Sequence, residues 1–96
     1  MITFNDKKTL TYVIMKGFNK DEITILSKSV DKIVIFDDSE DEDIRKSFES
    51  LFKELGNKIT LYEGQIDTNL ESYFKLHQDE KINYIFKGDF NITKNF

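Results

Sequence analysis

Ninety-six residues with a formal charge of −4, no Cys and no Pro suit one domain and leave no room for two independent cores. The lack of Cys removes a disulfide scaffold, a thiolate metal site and a cysteine nucleophile together. Fourteen basic against eighteen acidic side chains is the wrong balance for holding nucleic acid by phosphate neutralisation alone. Apolar residues make up 39% of the chain and nine residues are Phe, which is enough for a core beneath a heavily charged surface.

In chain order, Ile2-Thr3-Phe4 reads as a strand that pairs across an Asn5–Lys8 turn with a second strand, Leu10 to Met15, closed by Gly17. Asn19 caps a short helix with Glu22 reaching back to its amide, and Ile23, Ile25 and Leu26 form the buried stripe before an end near Ser29. Ile33 to Phe36 is an unbroken apolar run, the pattern of a strand covered on both faces in a parallel sheet. Ser39-Glu40-Asp41-Glu42 repeats the capping signal. A long helix follows, with Ile44, Phe48, Leu51, Phe52 and Leu55 on one face and Gly56 as its stop.

Lys58 to Glu63 is the next strand. The turn Gly64–Asp67 then leads into a helix of about two turns carrying Leu70, Tyr73, Phe74 and Leu76, capped by Asp67 or Thr68. Ile82 to Phe86 is a last strand and Phe90 to Phe96 a tail. Alternating strands and helices with short connections predict a single α/β domain over 1–96, with a mostly parallel sheet of about four strands flanked by helices. The N-terminal residues lack the basic start and apolar stretch of a signal peptide, and no apolar run reaches the roughly 20 residues of a membrane span, so cytoplasm is the expected location.

In open α/β sheets ligands sit beyond the carboxyl ends of the strands, and Asp37-Asp38 ends the most apolar one. Carboxylates there suit a hard divalent cation such as magnesium, with Asp37, Asp38 and Asp41 as candidate ligands. They equally suit a polar strand exit. The acidic run through Glu40, Asp41, Glu42 and Asp43 favours a helix start, and it can also present a row of negative charge to a basic groove on a protein. His77 falls at a helix end, where a cation suits the dipole. No Ser has a base beside it, the glycines are too scattered for a phosphate-cradling loop, and Lys7-Lys8 and Arg45-Lys46 are surface pairs.

The stretch from Val13 to Tyr73 resembles the second half of a TOPRIM domain, the metal-binding module of bacterial primases, type IA and type II topoisomerases and related nucleases. Ile14-Met15-Lys16-Gly17 is similar to that family's Gly-terminated strand, and Lys20 to Lys28 to the short helix after it. Val34-Ile35-Phe36-Asp37-Asp38-Ser39 resembles the strand bearing the Asp-x-Asp motif. Leu51 to Gly56 resembles the close of the long helix, and Gly64-Gln65-Ile66-Asp67 the Gly-x-Asp turn. The resemblance implies magnesium-dependent phosphoryl transfer with Asp37 as a ligand.

The chain departs from that pattern at two motif positions and in the next turn, where Glu40, Asp41, Glu42 and Asp43 replace the family's small residues. Lys16 stands where the nearest counterpart of the catalytic Glu would lie, and Ser39, a weaker neutral ligand, stands at the second Asp. These departures favour a non-catalytic interaction protein that modulates a nucleic-acid-processing protein, such as a replication or defence factor, over an enzyme domain or subunit. The Asn, Lys, Ile and Phe content points to an AT-rich genome, in keeping with a phage or mobile element.

Overall fold

The computed structural model describes residues 9–77 and 81–88. Seven elements alternate along it: β1 (Leu10–Lys16), α1 (Lys20–Leu26), β2 (Lys32–Asp37), α2 (Glu42–Leu55), β3 (Ile59–Glu63), α3 (Ile66–Leu76) and β4 (Ile82–Lys87), with one 3-10 turn at Gly56–Lys58. The strands form one parallel sheet in the order β3-β2-β1-β4. Ile14 lies opposite Val34 on one side and Phe86 on the other, so both edges of β1 are occupied. The Ile2–Phe4 strand and the Phe90–Phe96 tail expected from sequence lie outside the described residues.

The strand order dictates where the helices go. The first two crossovers step the same way across the sheet, and right-handed connections therefore place α1 and α2 on one face. The third steps back past β2 and β1 to the far edge, which puts α3 on the other face. Two cores result. Val13, Met15, Ile33, Ile35 and Ile59 pack with Ile23 of α1 and Leu51 of α2. Ile14, Val34 and Phe36 pack with Leu70 and Tyr73 of α3. Ile33, Val34, Ile35 and Phe36 are all fully buried, as the unbroken apolar run predicted. At about 1.5–3 kcal/mol for each such side chain, β2 is the largest single source of hydrophobic stabilisation in the sheet.

The helix starts correct the sequence reading in part. Asn19 does cap α1, accepting from the Glu22 amide at 3.0 Å. The cap of α2, however, is Asp41, whose Oδ1 accepts from the Asp43 amide at 2.9 Å. Ser39 lies two residues ahead of that cap position, in the turn its hydroxyl closes onto the Asp37 carboxylate, and the helix begins only after that turn. In α3 the cap position is Gln65, without a side-chain cap bond, ahead of the expected Asp67 or Thr68. Ile66, packed against the second core, draws the helix start forward and lengthens it to 11 residues.

Three apolar side chains face water against expectation: Ile25, Phe52 and Leu76. Ile25 and Phe52 sit well around the helix from the residue that takes the central core position, and Leu76 is the last residue of α3. Ile25 is about 200° from Ile23 and Phe52 about 100° from Leu51 at 3.6 residues per turn. Phe52 keeps a ring contact with Phe48 at 5.9 Å. His77 caps the end of α3, with Nδ1 2.8 Å from the Tyr73 carbonyl and its ring stacked on Tyr73 at 4.1 Å.

Candidate functional site

Because every strand is parallel, all four carboxyl ends share one edge of the sheet, and they divide it by charge. Asp37 and Glu63 end β2 and β3, while Lys16 and Lys87 end β1 and β4. On the acidic half, Asp37 lies opposite Glu63 and is 6% exposed. Its Oδ2 accepts from the Ser39 hydroxyl at 2.7 Å and the Ser39 amide at 3.3 Å. Those bonds turn the chain out of the sheet and account for the burial of a carboxylate at this position.

Beyond Asp37 the loop is acidic and open to solvent: Asp38, Glu40, Asp41, Glu42 and Asp43 are all exposed. Glu40 holds a φ of 58°, the one positive φ at a non-glycine position among the described residues. A side chain in that region costs of order 1–2 kcal/mol. Asp41 spends one carboxylate oxygen on the cap. Arg45, one turn into α2, reaches Glu63 at 3.3 Å and Glu42 at 3.5 Å, tying the helix to the end of β3. Arg45 thus has a specific role that its position in an Arg-Lys pair did not suggest.

Among the described residues no group of three or more His, Cys, Asp and Glu side chains is placed to hold a metal ion. Asp37, Asp38 and Asp41 are therefore not brought together as a three-carboxylate cage. What the fold does bring beside Asp37 is Glu63, a residue that sequence reading treated only as the end of a strand.

The basic half contains a concave feature. A cleft of about 370 Å³ opens between the ends of β1 and β4, lined by Lys16, Gly17, Asn19, Glu22, Lys87 and Gly88 over an apolar wall of Met15 and Phe18. The chain leaves β1 toward α1 and β2 on one side, and β4 lies on the other, so this is where the sheet's connections diverge. Such switch points are where open α/β sheets form ligand crevices. Lys87 Nζ lies 2.7 Å from Glu22 Oε2. Gly17 has a φ of 84° with nothing within 4 Å of where a Cβ would stand, so the β1–α1 turn stays open to the cleft. Gly88 is the reverse case: a Cβ there would come within 2.9 Å of Lys16 Cβ, so glycine lets the two strand ends approach.

Sequence reading passed over this cleft. Lys16-Gly17 drew notice as a strand end and as a departure from a motif, not as part of a cleft, and Lys87 drew none. The signal that would have found it is the strand order, which local patterning does not contain.

No family model matches the chain, and no curated protein or solved structure matches it. No helix among the described residues is long and apolar enough to cross a membrane.

Proposed function

We propose that this domain is a small acidic, non-catalytic interaction protein, acting in the cytoplasm, whose Asp38–Asp43 loop engages a protein that processes nucleic acid. The observation that carries the reading is the division of labour among its carboxylates. Asp37 is turned inward and bonded to Ser39, while Asp38, Glu40, Asp41, Glu42 and Asp43 stand exposed in consecutive or near-consecutive positions. A row of negative charge on a turn matches what a phosphate-binding groove accepts, and charge complementarity of this kind sets partner choice and association rate. A replication or defence factor of a phage or mobile element is the kind of partner it suits.

The test is capture of the partner from a lysate of the host cells by the intact chain, compared with a variant carrying Asp38→Asn, Glu40→Gln, Glu42→Gln and Asp43→Asn. That variant leaves Asp37 and the Asp41 cap in place. The expected result is a nucleic-acid-binding protein retained by the wild type, displaced by duplex DNA and lost with the variant. Capture that is unchanged by the substitutions or by DNA contradicts the reading.

One observation favours a second reading, a degenerate TOPRIM-like domain in which magnesium supports phosphoryl transfer. Asp37 and Glu63 end adjacent strands in register, giving two carboxylates at the carboxyl edge, with Asp38 or Asp41 as further candidate ligands. Magnesium held there would act as a Lewis acid on a phosphoryl oxygen, and a partner chain would have to supply the remaining acid or base. Arg45 and Ser39 already engage these two carboxylates, which weighs toward the first reading.

A further inference from the structure

We infer that the outer edge of β4 is a strand-pairing surface taken by this chain's own Phe90–Lys94 segment, folded back through a tight turn at Gly88-Asp89. This is independent of the acidic loop and of the charges at the carboxyl edge.

β4 is a terminal strand of the sheet, with β1 on its inner side. The two terminal strands differ. Among the described residues β3 has no large exposed apolar side chain, whereas β4 has Ile85 and Phe86, adjacent residues that point to opposite faces. Phe86 has the Phe74 ring at 6.1 Å on its face. Ile85 lies opposite Val13, which belongs to the core under α1 and α2, yet Ile85 is 43% exposed and joins neither core. Natural sheets pair or cover a terminal strand that carries apolar side chains in this way, because it otherwise templates pairing with another chain.

The sequence that follows β4 fits that edge. Gly88 leaves the strand with a φ of 112°. Gly followed by Asp is a preferred pair for a two-residue hairpin loop, where a positive φ at the first position matches the twist of the flanking strands. Phe90 and Ile92 then alternate with Asn91 and Thr93, the period of a strand with one apolar face. A two-residue loop fixes the register: Lys87 opposite Phe90, Phe86 opposite Asn91, Ile85 opposite Ile92 and Tyr84 opposite Thr93. Ile92 therefore stands beside Ile85, on the face where the apolar side chain is most exposed, and Phe90 beside the Lys87 stem. A strand laid along an edge shields Ile85 from one side only, so its contribution to global stability is small and the pairing itself is what a test must read.

The experiment is NMR of the intact ¹³C,¹⁵N-labelled chain at two concentrations, with a second sample mixing labelled and unlabelled chains to isolate contacts between molecules. The expected result is nuclear Overhauser contacts between the Ile85 and Ile92 methyls, and between the Hα atoms of Phe86 and Asn91, which form the close non-hydrogen-bonded pair next to the turn. These contacts are expected to persist on dilution and to be absent from the intermolecular spectrum. Ile92→Asp is expected to abolish them while the amides of β1 and β2 keep their protection from exchange, which separates loss of pairing from loss of the fold. Contacts from Ile2–Phe4 to β4 in place of Phe90–Lys94, contacts seen only between molecules, or none from Phe90–Lys94 to β4 would overturn the proposal.

Discussion

The two halves of the sheet's carboxyl edge are built from the same kind of strand ends and use charge in opposite ways. At β2 and β3 the charges are clustered in sequence: Asp37 and Asp38 are adjacent, and the acidic loop follows directly. The fold then disperses them, Asp37 turned inward to Ser39, Asp41 capping α2, Glu42 near Arg45, and Asp38, Glu40 and Asp43 left in solvent. At β1 and β4 the charges are far apart in sequence, and parallel pairing of Met15 with Lys87 brings them to neighbouring strand ends, with Lys87 tied to Glu22 of α1. Clustering along the chain here marks a solvated surface, whereas convergence in space comes from topology.

That contrast can be broken at several points. The largest effect is expected under the acidic half. Phe36→Ala removes a fully buried ring that stacks on Tyr62 at 5.2 Å, and a loss of about 3–5 kcal/mol should appear as a large drop in urea midpoint. Ile85→Ala on β4, where the side chain is 43% exposed, should cost less than about 1 kcal/mol in the same assay. Equal losses at the two positions would mean that β4 is covered as fully as β2.

Asp37→Ala is expected to destabilise by about 1–3 kcal/mol, because it removes two hydrogen bonds to a charged acceptor, from the Ser39 hydroxyl and amide. Asp41→Ala should cost about 1 kcal/mol through loss of the α2 cap, while Asp38→Ala should stay within about 0.5 kcal/mol. An Asp38 effect as large as that of Asp37 would place Asp38 in the turn and not on the free surface. Glu40→Gly should raise stability by up to about 1 kcal/mol, since glycine adopts a φ of 58° without penalty. The smallest stability effect belongs to Lys87→Gln, within about 1 kcal/mol for an exposed pair.

Much of the fold was legible in the residues. The apolar run Ile33 to Phe36 required cover on both faces, and the Asn19 box marked the start of α1. Alternating element types required parallel crossovers. Where reading by residue type failed, a tertiary contact overrode a local preference. Ser39 satisfies the pattern of a helix cap, yet its turn closes onto the Asp37 carboxylate and the helix starts two residues later, at the Asp41 cap. Ile25, Phe52 and Leu76 are apolar, yet the core admits only the narrower stripe of Ile23, Leu51, Leu70 and Tyr73. The Asp37–Glu63 neighbour pair and the Lys16–Lys87 cleft follow from strand order and register, and no local pattern encodes the order β3-β2-β1-β4.

The most direct test of the division between an inward Asp37 and an exposed acidic surface is a magnesium titration of the intact chain followed by thermal unfolding, in wild type and Asp37→Asn. A ligand that binds the native state raises the midpoint saturably by mass action. With Asp37 committed to Ser39, the expected result is no saturable rise in either protein, and a lower midpoint for Asp37→Asn at every magnesium concentration. A saturable rise in the wild type that disappears in Asp37→Asn would contradict it and establish the carboxyl edge of β2 as a metal site.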